Sequence, residues 1–227
     1  MGRVEVADQT RPWDPSAGTA TIKGQVLLSG EVPARRPIVM DSEPQCSGAR
    51  SGPPLDESVI VGDGRGLANV VVWVGSGLEG WIFESQSEHA LLEQKGCVFM
   101  PHVLGVQAGQ KIQIRNRDPV SHNVRAIPKF SDGFNIAQPA GGTSTRVLNH
   151  AEMGVRVRCD MHKWMGATIA VLRNPFFRVT GEDGTFELPK LPPGEYGIEF
   201  WHEVYGKRSL RVTLAEGQTE VIEFTFE

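Results

Sequence analysis

From Ala20 to Phe226 the chain alternates apolar and polar residues in short segments, each closed by glycine, proline or aspartate. Successive side chains of a strand point to opposite faces, so a period of two predicts strands with one buried side. Such segments, enriched in β-branched and aromatic residues, fall at residues 20–28, 69–74, 111–116, 154–158 and 167–172, and again at 176–180, 185–188, 196–201, 209–214 and 220–226. Their spacing suits sandwiches, and the expected fold class is all-β: a Greek-key sandwich plus a second, smaller β-sandwich. The one predicted helix is short, over residues 87–95, where His89-Ala90-Leu91-Leu92 stands among good helix formers.

The 26 glycines and 15 prolines are scattered singly between apolar runs, which excludes collagen and disorder and implies many turns. At 227 residues the chain holds one large or two small domains. Asn174-Pro175 is the expected junction, because proline interrupts strand pairing. The expected division is a flexible tail at 1–18, a strand and loop at 19–53 open to joining the second sandwich, a first sandwich at 54–173 and a second at 174–227. No apolar run approaches the ~18 residues of a membrane span. The charged stretch 1–18 is not a signal peptide, and it is neutral on export.

The formal charge of −4 is unevenly spread. Residues 111–173 hold 10 basic and 4 acidic side chains, while both flanks are acidic. This middle lacks the density of a nucleic-acid stripe, so nucleic acid is not an expected partner, whereas an acidic protein is. The three cysteines, Cys46, Cys97 and Cys159, form no CxxC pair, which removes zinc ribbons and thioredoxin motifs.

The chemistry concentrates at Cys159-Asp160-Met161-His162-Lys163-Trp164-Met165, between two alternating strands. A thiolate, an imidazole and a thioether within seven residues make a soft donor set, which selects copper, and methionine disfavours zinc. A second imidazole is available at His122, beyond the strand that ends at Asn116.

Asn116-x-Asp118-x3-His122-Asn123-Val124 followed by Cys159-x2-His162-x2-Met165 resembles the cupredoxins, amicyanin-like and plastocyanin-like blue copper proteins. The run Phe99-x-Pro101-x2-Leu104-x-Val106-x2-Gly109-x2-Ile112-x-Ile114-x-Asn116 resembles the strands that precede their first ligand. The resemblance covers about residues 54–173. It implies one type-1 copper held by His122, Cys159 and His162, with Met165 axial and Asn123 as the tether between the two ligand loops. Amicyanin-like loops have prolines beside the second histidine, whereas Met161 and Lys163 stand there in this chain. A dinuclear oxidase-type site would need a second cysteine between Asp160 and Trp164, and there is none.

Residues 179–188 together with Leu191-Pro192-Pro193-Gly194-Glu195-Tyr196 resemble the carboxypeptidase regulatory-like, transthyretin-like sandwich. Lys23-Gly24-Gln25-Val26 resembles that family's opening strand, which would make the first sandwich an insertion. Proteins joining these two modules are described as methylamine-utilisation-like.

These resemblances imply a monomeric, non-enzymatic electron carrier of the periplasm or another extracytoplasmic space, exchanging electrons with a redox protein. The alternatives are a binding or scaffolding module with a structural copper, and a copper-dependent oxidase with a second metal site, for which His102 and His202 are the candidates. With Cys159 on copper, Cys46 and Cys97 are expected to form a disulfide in an oxidising compartment, two buried thiols being the other state open. Electrons are expected to pass through an exposed edge of His162, with Lys163 and Trp164 forming the docking surface.

Overall fold

The computed structural model describes residues 10–40, 43–47 and 52–227. In chain order its strands are β1 (Arg11–Pro12), β2 (Ala20–Leu28), β3 (Val71–Ser76), β4 (Trp81–Ile82), β5 (Ala90–Gln94), β6 (Phe99–Met100), β7 (Val103–Gln107), β8 (Lys111–Asn116) and β9 (His122–Ile127). They continue as β10 (Phe134–Gln138), β11 (Thr143–Val147), β12 (Glu152–Arg158), β13 (Gly166–Leu172), β14 (Phe177–Val179), β15 (Thr185–Leu191), β16 (Gly194–His202), β17 (Gly206–Leu214) and β18 (Thr219–Phe226). The helical segments described are single turns, so the protein is all-β.

The first sandwich packs a five-stranded sheet, in the order β10-β9-β12-β13-β7, on a four-stranded sheet, β11-β8-β5-β6. Its core is the inward half of each alternation: Leu92 from β5, Ile112 and Ile114 from β8, Val124 and Ala126 from β9, Val155 and Val157 from β12. The second sandwich packs β14-β3-β16-β17 on β15-β2-β18 around Ile22, Val72, Phe186, Ile198, Phe200 and Phe226.

Three sequence expectations are corrected. Residues 87–95 contain a strand, β5, which pairs in parallel with β8. Leu92 and Gln94 are wholly buried while Leu91 is exposed, and this alternation in a sheet overrides helix propensity. The boundary at residue 54 also fails: β3 pairs with β14 and β16, and β2 pairs with β15 and β18, so both belong to the second sandwich. The first sandwich is thereby inserted between β3 and β14. Residues 10–18 are not a flexible tail, since β1 pairs with β4 and Trp13 packs on Trp81, Phe83 and Phe176 at centroid distances of 4.9, 5.5 and 5.4 Å. The rest of that expectation, residues 1–9, lies outside the described residues.

The outer face of β13 and β7 packs on the second sandwich. Val103, Ala170 and Leu172 meet Val71 and Phe177 in a separate apolar cluster, with Trp73 and Trp201 at its margin. Gly105 faces the Phe177 ring so closely that an added Cβ would stand 2.9 Å from Cε2, so a side chain there would force the sheets apart. At the rim, Glu203 of the second sandwich contacts His102 Nε2 and accepts a 3.4 Å hydrogen bond from Thr168 Oγ1. This contact reaches β12 only at its start, through Met153, and leaves the exposed Arg125, Asn135, Arg156 and Arg158 outside it.

Candidate metal centre

His122 is the first residue of β9 and points inward with Val124 and Ala126. Cys159 follows the last residue of β12, and the loop from Cys159 to Met165 leads into β13. The loop is closed by its own backbone, Cys159 N–H donating to Met165 O at 3.2 Å and Met165 N–H to His162 O at 2.9 Å. This closure holds Cys159 and His162 on one tight turn, with Met165 at its end.

His122 Nδ1 lies 2.9 Å from His162 Nδ1, and Cys159 Sγ lies 3.7 Å from that second nitrogen. The three ligand atoms fall within 4.8 Å of one another, and all three residues are buried. Met165 is 1% exposed and shares the core cluster with Cys159. Cys97 also stands near Asp118 and His122, but its sulfur is bonded to Cys46 and cannot act as a thiolate ligand.

The surroundings prepare the donors. Asp118, itself buried, accepts the hydrogen bond of His122 Nε2 at 2.9 Å, so Nδ1, which faces His162, is the nitrogen left to bind a metal once its proton is displaced. Asp118 Oδ2 also accepts the Cys97 N–H at 2.9 Å, and Oδ1 accepts that of Gly96. Asn116 holds the turn before His122, donating from Nδ2 to the carbonyls of Val120, Gln138 and Pro139 at 2.7 to 3.0 Å and accepting the Asp118 N–H. Asn123 spans the two ligand loops. Its backbone N–H points at Cys159 Sγ at 3.5 Å, and its Oδ1 accepts from the Asp160 and Met161 N–H groups at 2.7 and 3.4 Å.

The electrostatics favour ligand-ready states. Burial works against ionising Cys159, but hydrogen bonds from His122 and from the backbone N–H groups of Asn123, His162 and Met161 outweigh it and hold the thiol below its ordinary value. Burial, reinforced by the charge of His122, pushes His162 below its ordinary value against the pull of Glu43 and Asp118. Burial also opposes charge on His122, yet Asp118 and Cys159 raise it to about 9. Asp118 and the Cys159 sulfur thus favour positive charge at His122, and a metal cation of matching donor preference can take the place of the His122 proton. The residues fit a soft metal.

His162 is not exposed as expected. It is 5% accessible, with Trp164 against its ring at 5.1 Å and Glu43 Oε2 4.0 Å from Nε2. Trp164 is half-buried and donates Nε1–H to Cys97 O at 3.0 Å, so it packs the site instead of forming an outer face, and only Lys163 is exposed. Glu43 arrives on the segment that carries Met40 and Cys46 into this core and ends in the Cys46–Cys97 disulfide.

Sequence reasoning gave no role to Asp118 or Glu43. Asp118 stands four residues before His122, a visible signal, whereas Glu43 is 119 residues from His162 and is brought there by a segment anchored through Met40 and the Cys46–Cys97 disulfide. His102 and His202 do not form a second site. His102 engages Glu203, His202 Nδ1 accepts the Val204 N–H at 3.2 Å, and neither joins a group of three converging donors among the described residues.

No family model and no curated protein matches the chain. Solved structures similar to part of it include a purple cupredoxin from Nitrosopumilus maritimus, at 19% identity and a TM-score of 0.32 over 36% of this chain and 98% of that one. An amicyanin, the oxidised P96G mutant, is 14% identical with a TM-score of 0.34 over 51% of this chain and 93% of that one. A copper-containing nitrite reductase from Thermus scotoductus is 17% identical, TM-score 0.36, over 39% of this chain. The chain spans only 23% of that reductase's length.

Proposed function

We propose that the chain is a type-1 copper protein that carries single electrons between extracytoplasmic redox partners. The observation that carries this reading is the buried convergence of His122 Nδ1, His162 Nδ1 and Cys159 Sγ, with the outer nitrogen of His122 already committed to Asp118. Two imidazoles, a thiolate and a nearby methionine match the trigonal copper site with a weak axial thioether. Bound copper would supply the one-electron Cu(II)/Cu(I) couple.

The residues contribute rigidity and dryness. Asp118 fixes the tautomer and orientation of His122, Asn123 locks the two ligand loops together, and the backbone bonds between Cys159, His162 and Met165 hold the loop closed. A site held this firmly resists rearrangement between oxidation states, which lowers the cost of moving an electron. Trp164, Met40 and the disulfide-linked segment keep water from the donors.

The test is copper uptake followed by visible absorption. An intense thiolate-to-copper band that a mild reductant bleaches reversibly is expected, and Cys159→Ser should abolish it. Met165→Gln should keep a coloured site at lower potential, because an amide oxygen favours Cu(II) over Cu(I). A colourless protein holding stoichiometric copper would overturn the reading.

A further inference from the structure

The five-stranded sheet of the first sandwich has two halves on its outer side. β13 and β7 are covered by the second sandwich, which also reaches Met153 at the start of β12, whereas β9, β10 and the Arg156–Arg158 end of β12 carry exposed residues. On that open half the outward positions are Asn123 and Arg125 on β9, Arg156 and Arg158 on β12, and Asn135 on β10. Register places Arg125 directly opposite both Arg158 and Asn135, so the two arginines and the asparagine form one rung, with Arg156 two residues along its strand.

Asp160, the residue after the Cys159 thiol, closes the ligand-loop end of this face. Its Oδ1 lies 3.6 Å from Arg125 Nη1 and 3.4 Å from Arg158 Nε, and its Oδ2 accepts from Asn123 and Asn135 at 3.0 Å each. One carboxylate thus answers two guanidinium groups, and no described carboxylate lies within ion-pair distance of Arg156. Glu203, across β13, is engaged with His102 and Thr168. The face keeps a positive balance. Met161, 59% exposed, gives it an apolar centre beside the thiolate loop.

The route through His162 is closed by Glu43 and Trp164. The residues that flank the thiolate, Arg158 on one side and Asp160 and Met161 on the other, are all exposed. Accordingly, and resting on the electron-carrier reading above, we propose that an acidic redox protein docks on this arginine face, over Met161 and Asp160, and exchanges electrons through the Cys159 side of the site. The partner's carboxylates meet Arg125, Arg156 and Arg158, and long-range attraction steers it there. Each encounter moves one electron, one side being oxidised by one as the other is reduced by one, with no bond made or broken.

The first probe is hexacyanochromate(III), a redox-inert paramagnetic trianion, added to the isotope-labelled copper-free protein. Amide signals of Arg125, Arg156, Arg158 and Met161 should broaden first, and salt should reverse the effect. Broadening centred on Lys163 and Glu43, or scattered over the surface, overturns the docking site. The second probe is stopped-flow oxidation of the Cu(I)-loaded protein by hexacyanoferrate(III). At low salt Arg156→Glu should slow it about five-fold and leave the absorption band unchanged, from Coulomb attraction over ~8 Å in water with screening. Lys163→Glu should slow it less, and the reverse order overturns the proposal. A copper band with broadening elsewhere sinks the docking face alone. Broadening on the face without a copper band sinks the carrier reading, and the proposal with it.

Discussion

His122 Nε2 lies 2.9 Å from Asp118 Oδ2, and the same carboxylate accepts the N–H groups of Gly96 and Cys97. The first imidazole donor is therefore oriented by the turn that bears the disulfide, not by its own strand alone. Asp118, Cys97, Cys46 and Glu43 form one mechanical chain from His122 around to His162.

Asp118→Asn keeps the side-chain shape but can no longer draw the His122 proton as an anion. Copper affinity should fall about 10- to 100-fold, the usual cost of losing a carboxylate behind a ligating histidine. The potential should rise, because a less basic imidazole supports Cu(II) less well. Competition against a chelator and a redox titration measure both, and unchanged values would show that the carboxylate does not tune the site.

Removing the disulfide with Cys46→Ala and Cys97→Ala together frees a loop of sequence separation 51. The expected loss of stability is on the order of 4 kcal/mol, if the constraint acts on the unfolded chain. Urea unfolding checks the magnitude. The variant should also expose His162, so diethylpyrocarbonate should modify its ring faster than in the parent. Equal modification would mean that Trp164 and the loop alone cover it.

The alternation of Val155 with Val157 and of Ile112 with Ile114 made the strands legible, because each buries one side only. Residues 87–95 misled because Leu91 and Leu92 have high helix propensity, and only pairing with β8 decides the matter. The membership of β3 was hidden, since alternation tells which side is buried but not against which sheet. Likewise the donor residues stood out through their local spacing. The covering of His162 did not, because it depends on a contact between residues far apart in the chain. An exposed edge of His162, expected from its place at the loop tip, gave way to a cover from Trp164 and from the segment bearing Glu43.

Trp201 stands on the opposite face of β16 from Phe200, turned toward the cluster formed by Val71, Val103, Ala170, Leu172 and Phe177. Truncating it should weaken the contact between the sandwiches without touching the donors. Trp201→Ala should lower stability by roughly 2 kcal/mol, less than a fully buried aromatic because the ring is half-exposed. Proteolysis between Arg173 and Phe176 should accelerate while the copper band stays the same. An unchanged cleavage rate would count against this contact as what holds the two sandwiches together.

His202 supplies a pH dependence whose sign follows from its surroundings. Its ring is wholly buried beside Tyr205 and Phe226, Nδ1 accepts the Val204 N–H, and Nε2 has no partner. Burial lowers its pKa from 6.5 to about 4, against the pull of Glu203 and with some help from His102. Between those values the unfolded chain binds a proton that the folded chain does not, so stability falls as pH drops from about 6.5 to about 4, by on the order of 3 kcal/mol. His102 acts the other way. Burial opposes its charge, but the hydrogen bond and charge of Glu203, with Glu57 and Asp56, raise its pKa above 6.5. Its contribution is complete below 6.5 and is lost as pH rises through the folded value, so it is constant across the window in which His202 titrates. Urea midpoints of the parent and of His202→Phe, compared at pH 4.5 and 6.5, isolate the effect: the parent should lose stability on acidification and the variant should lose markedly less. Parallel losses in the two proteins would show that His202 does not carry this acid sensitivity.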